Sequence, residues 1–333
     1  MSPFQDIRNM IVSIPGPDEQ ARDAVRGKEA TLGKPLGSLG RLEWFNEWLC
    51  AWQRRYPPQL KRGMVCVFAA SHGVAQHDIA AADTPSPRAM LDAYAEGNAA
   101  VTQLCGVFGF GFRVFDLAVD VPSGDFAFGE ALDEKSCVAT MAYGMEAVHG
   151  GLDILALGSV STGQDLAAAA VFTALYGGPA ENWLVRDSGV DADVLARRAA
   201  LIEQALTLHG PYLQDPLQIL ARLGGRDIAA MAGAILAARL QHIPVIIDGY
   251  TCTAAAAVLY AIHPATLDHC IAGSLSSRGA HREVLERIHK IPILALGIRA
   301  EDGCGAALAM AMVKAAVEVH NGMHAPAAAG FVT

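Results

Sequence analysis

Met64-Val65-Cys66-Val67-Phe68-Ala69-Ala70 runs directly into Ser71-His72-Gly73. Seven apolar residues without polar alternation are what a strand covered on both faces shows, and the small polar ending marks its carboxyl end. The same texture recurs along the chain. Residues 112–119 lead into Asp120, 152–157 into Gly158-Ser159, 243–247 into Asp248-Gly249, 270–272 into Gly273-Ser274, and 293–296 into Gly297-Ile298-Arg299. Between the runs, stretches rich in Ala, Leu, Met and Val (86–104, 163–176, 190–208, 226–240, 251–263, 279–289 and 303–320) suit helices packed closely on a sheet. Such alternation implies parallel strands joined by right-handed crossovers. The fold class expected is α/β, a doubly wound, mostly parallel Rossmann-like sheet over residues 61–303. A small helical domain comes from the chain ends, residues 1–60 joined by part of 304–333.

Composition narrows the function. The 333 residues are 52% hydrophobic and 18% charged, which excludes a disordered chain, since such chains lack the apolar surface to offset conformational entropy. No apolar run reaches the roughly 18 to 20 uncharged residues of a bilayer-spanning helix, so no membrane partner is expected. Met1-Ser2-Pro3-Phe4-Gln5-Asp6 holds no basic region followed by an apolar core, and a cytoplasmic location is expected. Thirty-four acids against 25 bases give a net charge of -9 with no basic block, which disfavours nucleic acid as a partner. Cys50, Cys66, Cys105, Cys137, Cys252, Cys270 and Cys304 are scattered and never at Cys-x-x-Cys spacing. They read as reduced core thiols, indicating neither a zinc site nor a disulfide frame.

In an open parallel sheet, ligands bind beyond the carboxyl ends of the strands. Ser159, Ser161 and Gly163 precede a helix whose free N–H groups and dipole could hold an anion. Ser274, Ser276 and Ser277, with Arg278, could form a second phosphate cradle, and both sets also suit N-caps and turns. No Gly-x-x-x-x-Gly-Lys-Ser/Thr loop is present, nor a Gly-x-Gly-x-x-Gly directly after a strand. Gly109-Phe110-Gly111 precedes a strand and reads as a turn. Nucleotide-driven dehydrogenase or ATPase chemistry therefore has little support. Glu301 and Asp302, between the last apolar run and a helix, are candidates for a general base or for helix-start acids. His72 reads as a ligand, a base or a buried histidine bonded to neighbouring backbone. Asp248 reads as a substrate-orienting group or a cap of the next turn.

Several motifs then fall into one order. Lys34-Pro35-Leu36-Gly37-Ser38-Leu39-Gly40-Arg41-Leu42-Glu43 resembles the KPPGSLGRLE segment of the nicotinate-nucleotide–dimethylbenzimidazole phosphoribosyltransferases. His72-Gly73 resembles their DHG loop, Leu223 through Ala229 their GG-x-E-I-A segment, residues 245–250 their VLLDGF strand, and Arg299 through Ala306 their RLGEGTGA segment. The resemblance implies transfer of phosphoribosyl from nicotinate mononucleotide to 5,6-dimethylbenzimidazole or a related lower-ligand base in cobalamin biosynthesis. The products would be an α-ribazole phosphate and nicotinate, in a homodimer needing no metal or cofactor. The family's catalytic Glu falls on Asp302, one methylene shorter, with Glu301 beside it as a substitute. Its nucleotide-holding loop falls on Gly158 through Leu166, its helix lysine on Arg198, and its SAE-x-GH segment on Ser276 through His281. Its base-pocket Ser and Gln fall near Ala80 and Ala89. Because the site segments diverge more than the scaffold segments, a non-catalytic or partner-dependent homologue that binds nucleotide or base is the alternative.

Overall fold

The computed structural model describes residues 2–77, 79, 85–185, 191–277 and 280–324. Five parallel strands form its sheet: β1 (Gly63–Ser71), β2 (Gly111–Asp116), β3 (Ile154–Thr162), β4 (Val245–Ile247) and β5 (Cys270–Ala272), in the order β2-β1-β3-β4-β5. The α/β doubly wound expectation holds. The order changes direction between β1 and β3, which makes their carboxyl ends the topological switch point. Met64 pairs with Leu155 and Ser71 with Thr162, so Ser71-His72 and Thr162-Gly163 emerge side by side.

Thirteen α-helices accompany the sheet among the described residues: α1 (Phe4–Val12), α2 (Glu19–Glu29), α3 (Arg41–Gln53), α4 (Pro87–Ala95), α5 (Ala100–Phe108), α6 (Glu134–Met145), α7 (Gln164–Tyr176), α8 (Ala192–His209), α9 (Pro216–Ile219), α10 (Gly225–Leu240), α11 (Gly249–Ile262), α12 (His281–Arg287) and α13 (Cys304–Gly322). Strand side chains alternate between two cores. Cys66, Phe68, Ala70, Leu155 and Leu157 join the helical layer that contains α6, α7, α10 and α11. Val65, Val67, Ala69, Ile154 and Ala156 join the layer of α3, α4, α5 and α13. Each fully buried side chain of this size contributes about 1.5–3 kcal/mol, which is why the runs need no polar alternation.

The chain ends attach to different layers. Phe4, Ile7 and Ile11 of α1 enter the first core. Helix α3 lies along α13, where Asn46 Nδ2 donates to the Ala316 carbonyl at 3.1 Å. The Lys34–Glu43 segment is held by a buried ionic chain. Lys34 Nζ lies 2.8 Å from Glu29 and 2.5 Å from Glu43, and Glu29 meets His320 Nδ1 at 2.5 Å. Burial opposes the charge on Lys34, but Glu29 and Glu43 prevail and hold its ammonium above the ordinary lysine value.

Three expected elements change. The stretch 86–104 forms two helices, because Gly97, with φ +72°, ends α4 and turns the chain before α5. The run 112–119 leaves the sheet at Asp116, whose Oδ1 accepts from the Val119 N–H at 3.0 Å and folds residues 116–119 into a turn. The run 293–296 makes only an isolated bridge, Leu294 to Ser274, beyond the end of β5. Helix α6, absent from the expected set, starts at Asp133, whose side chain accepts from Ser136 N.

Candidate active site

Two polar corners occupy the carboxyl edge of the sheet, one on each face of β3. Ser159 and Ser161 share the face that looks toward α10, while Gly158 faces α13. On the α10 side, the buried Asp227 in the first turn of that helix gathers its neighbours. Its Oδ1 lies 2.9 Å from His72 Nε2 and accepts from the Ile228 N–H at 2.9 Å. Its Oδ2 accepts from Ser159 Oγ at 3.0 Å, and Ser159 Oγ also lies 2.9 Å from Gln164 Oε1. Burial works against the Asp227 charge, but His72, Ser161 and Ser159 hold its carboxyl below the usual range. Gly225 makes this possible: its φ is +72°, and a Cβ there would sit 2.5 Å from His72 Cε1.

On the α13 side, the loops after β4 and before α13 exchange carboxylates. Asp248 precedes α11, yet its Oδ2 accepts from Ala306 N, in the first turn of α13, at 2.9 Å. Glu301 precedes α13, yet it caps α11, accepting from Tyr250 N at 2.8 Å, Thr251 N at 3.2 Å and Thr251 Oγ1 at 2.6 Å. Each helix thus has its orphan N–H groups and dipole satisfied by the other helix's leading loop. Burial, with a smaller push from Glu301 and Asp302, raises the Asp248 carboxyl to about 7.

Asp302 stands next to these two with a different environment. The following residue, Gly303, is pressed against β3, since a Cβ on Gly158 would lie 2.4 Å from Gly303 N. The Asp302 carboxylate interacts electrostatically with Tyr94, Cys105 and Cys304 in the layer of α4, α5 and α13. Burial first, and then Asp302, push the Tyr94 phenol and the Cys304 thiol up, so both remain protonated donors. Asp302 Oδ1 and Tyr94 Oη are sealed from water and make no hydrogen bond of full geometry among the described residues, and the same holds for Ser274 Oγ, which lies beside Asp248. Buried polar atoms are nearly always paired, so an underbonded carboxylate at the carboxyl edge of the sheet is a candidate for completion by a ligand.

The sequence candidates divide accordingly. Glu301 and Asp302 are both buried, at 4% and 8% exposure, and neither points into solvent. His72 pairs with a carboxylate rather than with neighbouring backbone. Asp248 caps α13 rather than its own next turn. Gly163, at φ +81°, opens α7 at the switch point. Ser159 and Ser161 turn toward Asp227, and Ser161 Oγ also accepts from Ala70 N at 3.0 Å.

Arg198, expected to meet a phosphate, donates Nε and Nη2 to the Ile79 carbonyl and Nη1 to that of Val185, clasping two loops. Ser276 donates its N–H to His281 Nδ1 at 3.0 Å. That bond places the His281 proton on Nε2, which donates to Thr253 Oγ1 at 2.9 Å, while burial lowers this histidine to about 4. Ser277 is exposed, and Ala89 lies on the exposed side of α4. Ala80 and Arg278 lie outside the described residues.

Sequence reasoning assigned no role to Tyr94, Asp227 or Cys304. Leu91 and Tyr94, three apart on α4, look like an ordinary core stripe, and only the unpaired hydroxyl distinguishes the tyrosine. Among the described residues, no group of three or more His, Cys, Asp or Glu side chains is arranged to hold a metal ion.

A doubly wound sheet whose carboxyl edge presents a buried, incompletely paired carboxylate beside the switch point defines an α/β enzyme that works on a small ligand by acid–base or group-transfer chemistry. The phosphoribosyltransferase family model matches residues 14–331. The nicotinate-nucleotide–dimethylbenzimidazole phosphoribosyltransferase of Methylocella silvestris is 49% identical over 322 residues, covering 97% of this chain and 94% of that protein. The Brucella anthropi enzyme of the same name is 49% identical over 325 residues, covering 96% and 95%. A crystal structure of the Thermus thermophilus enzyme superposes with a TM-score of 0.82 at 30% identity, covering 91% of this chain and 96% of that one. The chain belongs to the nicotinate-nucleotide–dimethylbenzimidazole phosphoribosyltransferase family, and it is a pentosyltransferase.

Proposed function

We propose that the chain transfers phosphoribosyl from nicotinate mononucleotide to 5,6-dimethylbenzimidazole or a closely related base, with Asp302 as the general base. The observation that carries the assignment of the base is the buried Asp302 carboxylate, whose Oδ1 has no partner among the described residues, in the segment that resembles RLGEGTGA. The names of the relatives support the substrates.

In the reaction, the bond from ribose C1′ to the nicotinate ring nitrogen breaks. Its electron pair returns to that ring, which is already a good leaving group as a pyridinium. The acceptor's free ring nitrogen forms the new bond to C1′, and its other nitrogen gives its proton to Asp302. Proximity and a placed charge account for most of the barrier reduction in such a transfer, so no cofactor step is required. Glu301 is assigned to capping α11, because three donors already occupy its carboxylate. The phosphate is assigned to the N-terminal turn of α7 behind Gly163, where the switch point and the helix dipole coincide.

A homodimer in the cytoplasm belongs to the same reading. No described helix is long and apolar enough to cross a membrane. Leu36 and Ile291 are each about three-quarters exposed on neighbouring loops that Arg41 ties together through the Ile291 and Pro292 carbonyls. Sedimentation of the purified chain tests the dimer.

Turnover is tested by following nicotinate release from nicotinate mononucleotide with a panel of bases. Substrate binding without release of nicotinate for every base would replace this proposal with the non-catalytic reading.

A further inference from the structure

Tyr94 reaches the Asp302 corner from α4. Its ring is packed among the α4, α5 and α13 side chains of the second core, and it stacks at a tilt on Phe112 with centroids 5.4 Å apart. That packing fixes where the hydroxyl points. The hydroxyl faces Asp302 and interacts with its carboxylate, but neither it nor Asp302 Oδ1 makes a hydrogen bond of full geometry among the described residues. Burying a phenol oxygen with no partner costs about 1–3 kcal/mol. A phenylalanine would fill the same space without that cost.

We propose that Tyr94 is a positioning residue for Asp302: its O–H donates to one carboxylate oxygen and leaves the other directed at the ring N–H of the incoming base. The proposal rests on Asp302 being the base. An aspartate has few rotamers, so one donor on one carboxylate oxygen is enough to fix the direction of the other. Hydrogen bonds of this kind are often long in the unliganded enzyme and tighten when substrate arrives.

Other titratable groups also face Asp302. Cys105 of α5 and Cys304 of α13 are pushed up by burial and stay neutral across the working range, as Tyr94 does. Asp248, raised to about 7, interacts with Asp302 electrostatically, and Glu301 is its neighbour in the chain. Both remain in a Tyr94 variant, so a change in pH dependence between the two proteins belongs to Tyr94.

The test compares wild type, Tyr94→Phe and Asp302→Asn, each first shown to keep its melting temperature. Tyr94→Phe is expected to lower kcat by about 10- to 100-fold with the KM for nicotinate mononucleotide within about twofold. The acid limb of its kcat profile should move up by roughly half to one pH unit, because a donor that favours the charged carboxylate has been removed. Infrared titration gives a readout independent of turnover. The carboxyl band that Asp302→Asn abolishes should titrate at higher pH in Tyr94→Phe. Unchanged kcat and an unchanged acid limb in Tyr94→Phe, with Asp302→Asn inactive, overturn the role of Tyr94 alone. A loss of kcat without any shift of limb or band reduces Tyr94 to packing and also overturns it. Retained turnover in Asp302→Asn removes the base assignment itself, whatever Tyr94→Phe does.

Discussion

Asp227 and Asp302 sit on opposite faces of the same sheet edge, and both are buried aspartates. Asp227 has both oxygens engaged, by Ser159, by the Ile228 N–H and by His72 at ion-pair distance. Asp302 keeps an oxygen with no partner among the described residues and faces a phenol and a thiol instead. In the first arrangement the carboxylate itself is fully engaged and joins two strand ends, although the buried ring nitrogens of His72 make no hydrogen bond of full geometry among the described residues. The second is unfinished, and it persists because the rest of the fold compensates for it. Low solvent exposure therefore does not distinguish the two acids; the number of donors on each carboxylate does.

The two aspartates should differ most in their effect on the chemistry. Asp302→Asn should reduce nicotinate release by about 10²- to 10⁴-fold, with calorimetric binding of the nucleotide retained. Equal inactivation by Asp227→Asn, in a protein that still folds, would erase the distinction between the two corners. Asp227→Ala should instead act on stability. It strips partners from the buried His72 and Ser159, and a loss of about 3–5 kcal/mol in denaturant unfolding is expected. A cost below about 1 kcal/mol would show that the network is not the clamp described.

Asp248 sharpens the comparison through pH. Its carboxyl holds a proton up to about pH 7, whereas in the unfolded chain it ionises near 4. Between those values the folded state binds more protons than the unfolded one, so stability falls as pH rises through this window, by no more than about 4 kcal/mol. Asp248→Asn should flatten that decline, and urea unfolding at pH 5 and pH 8 measures it. The smallest effect belongs to Glu301. Glu301→Gln keeps an acceptor oxygen but loses the charge at the start of α11, so a cost of about 1 kcal/mol is expected with kcat changed only a few fold. Inactivation of Glu301→Gln at unchanged stability would exchange the roles of the neighbouring acids.

Much of the scaffold was legible because burial on both faces of a strand leaves a continuous apolar run. Residues 64–70, 152–157 and 243–247 carry that mark, and all three lie in or lead into strands of the sheet. Residues 112–119 and 293–296 carry it too, yet the first is cut short by the Asp116 side chain and the second meets its neighbour only at Leu294. Apolar character reports burial and is silent on whether the backbone is paired.

The alternation of elements, the family to which the motifs belong and the short list of acids beyond the last apolar run are written in the order of residues alone. These follow from composition and order along the chain. Only the tertiary structure decided that Glu301 caps α11 while Asp248 caps α13, and that Tyr94, some two hundred residues earlier in the chain, faces Asp302. Those pairings depend on which strand ends and helix starts the sheet order brings together. Adjacent residues such as Glu301 and Asp302 can therefore point into different environments and do different work.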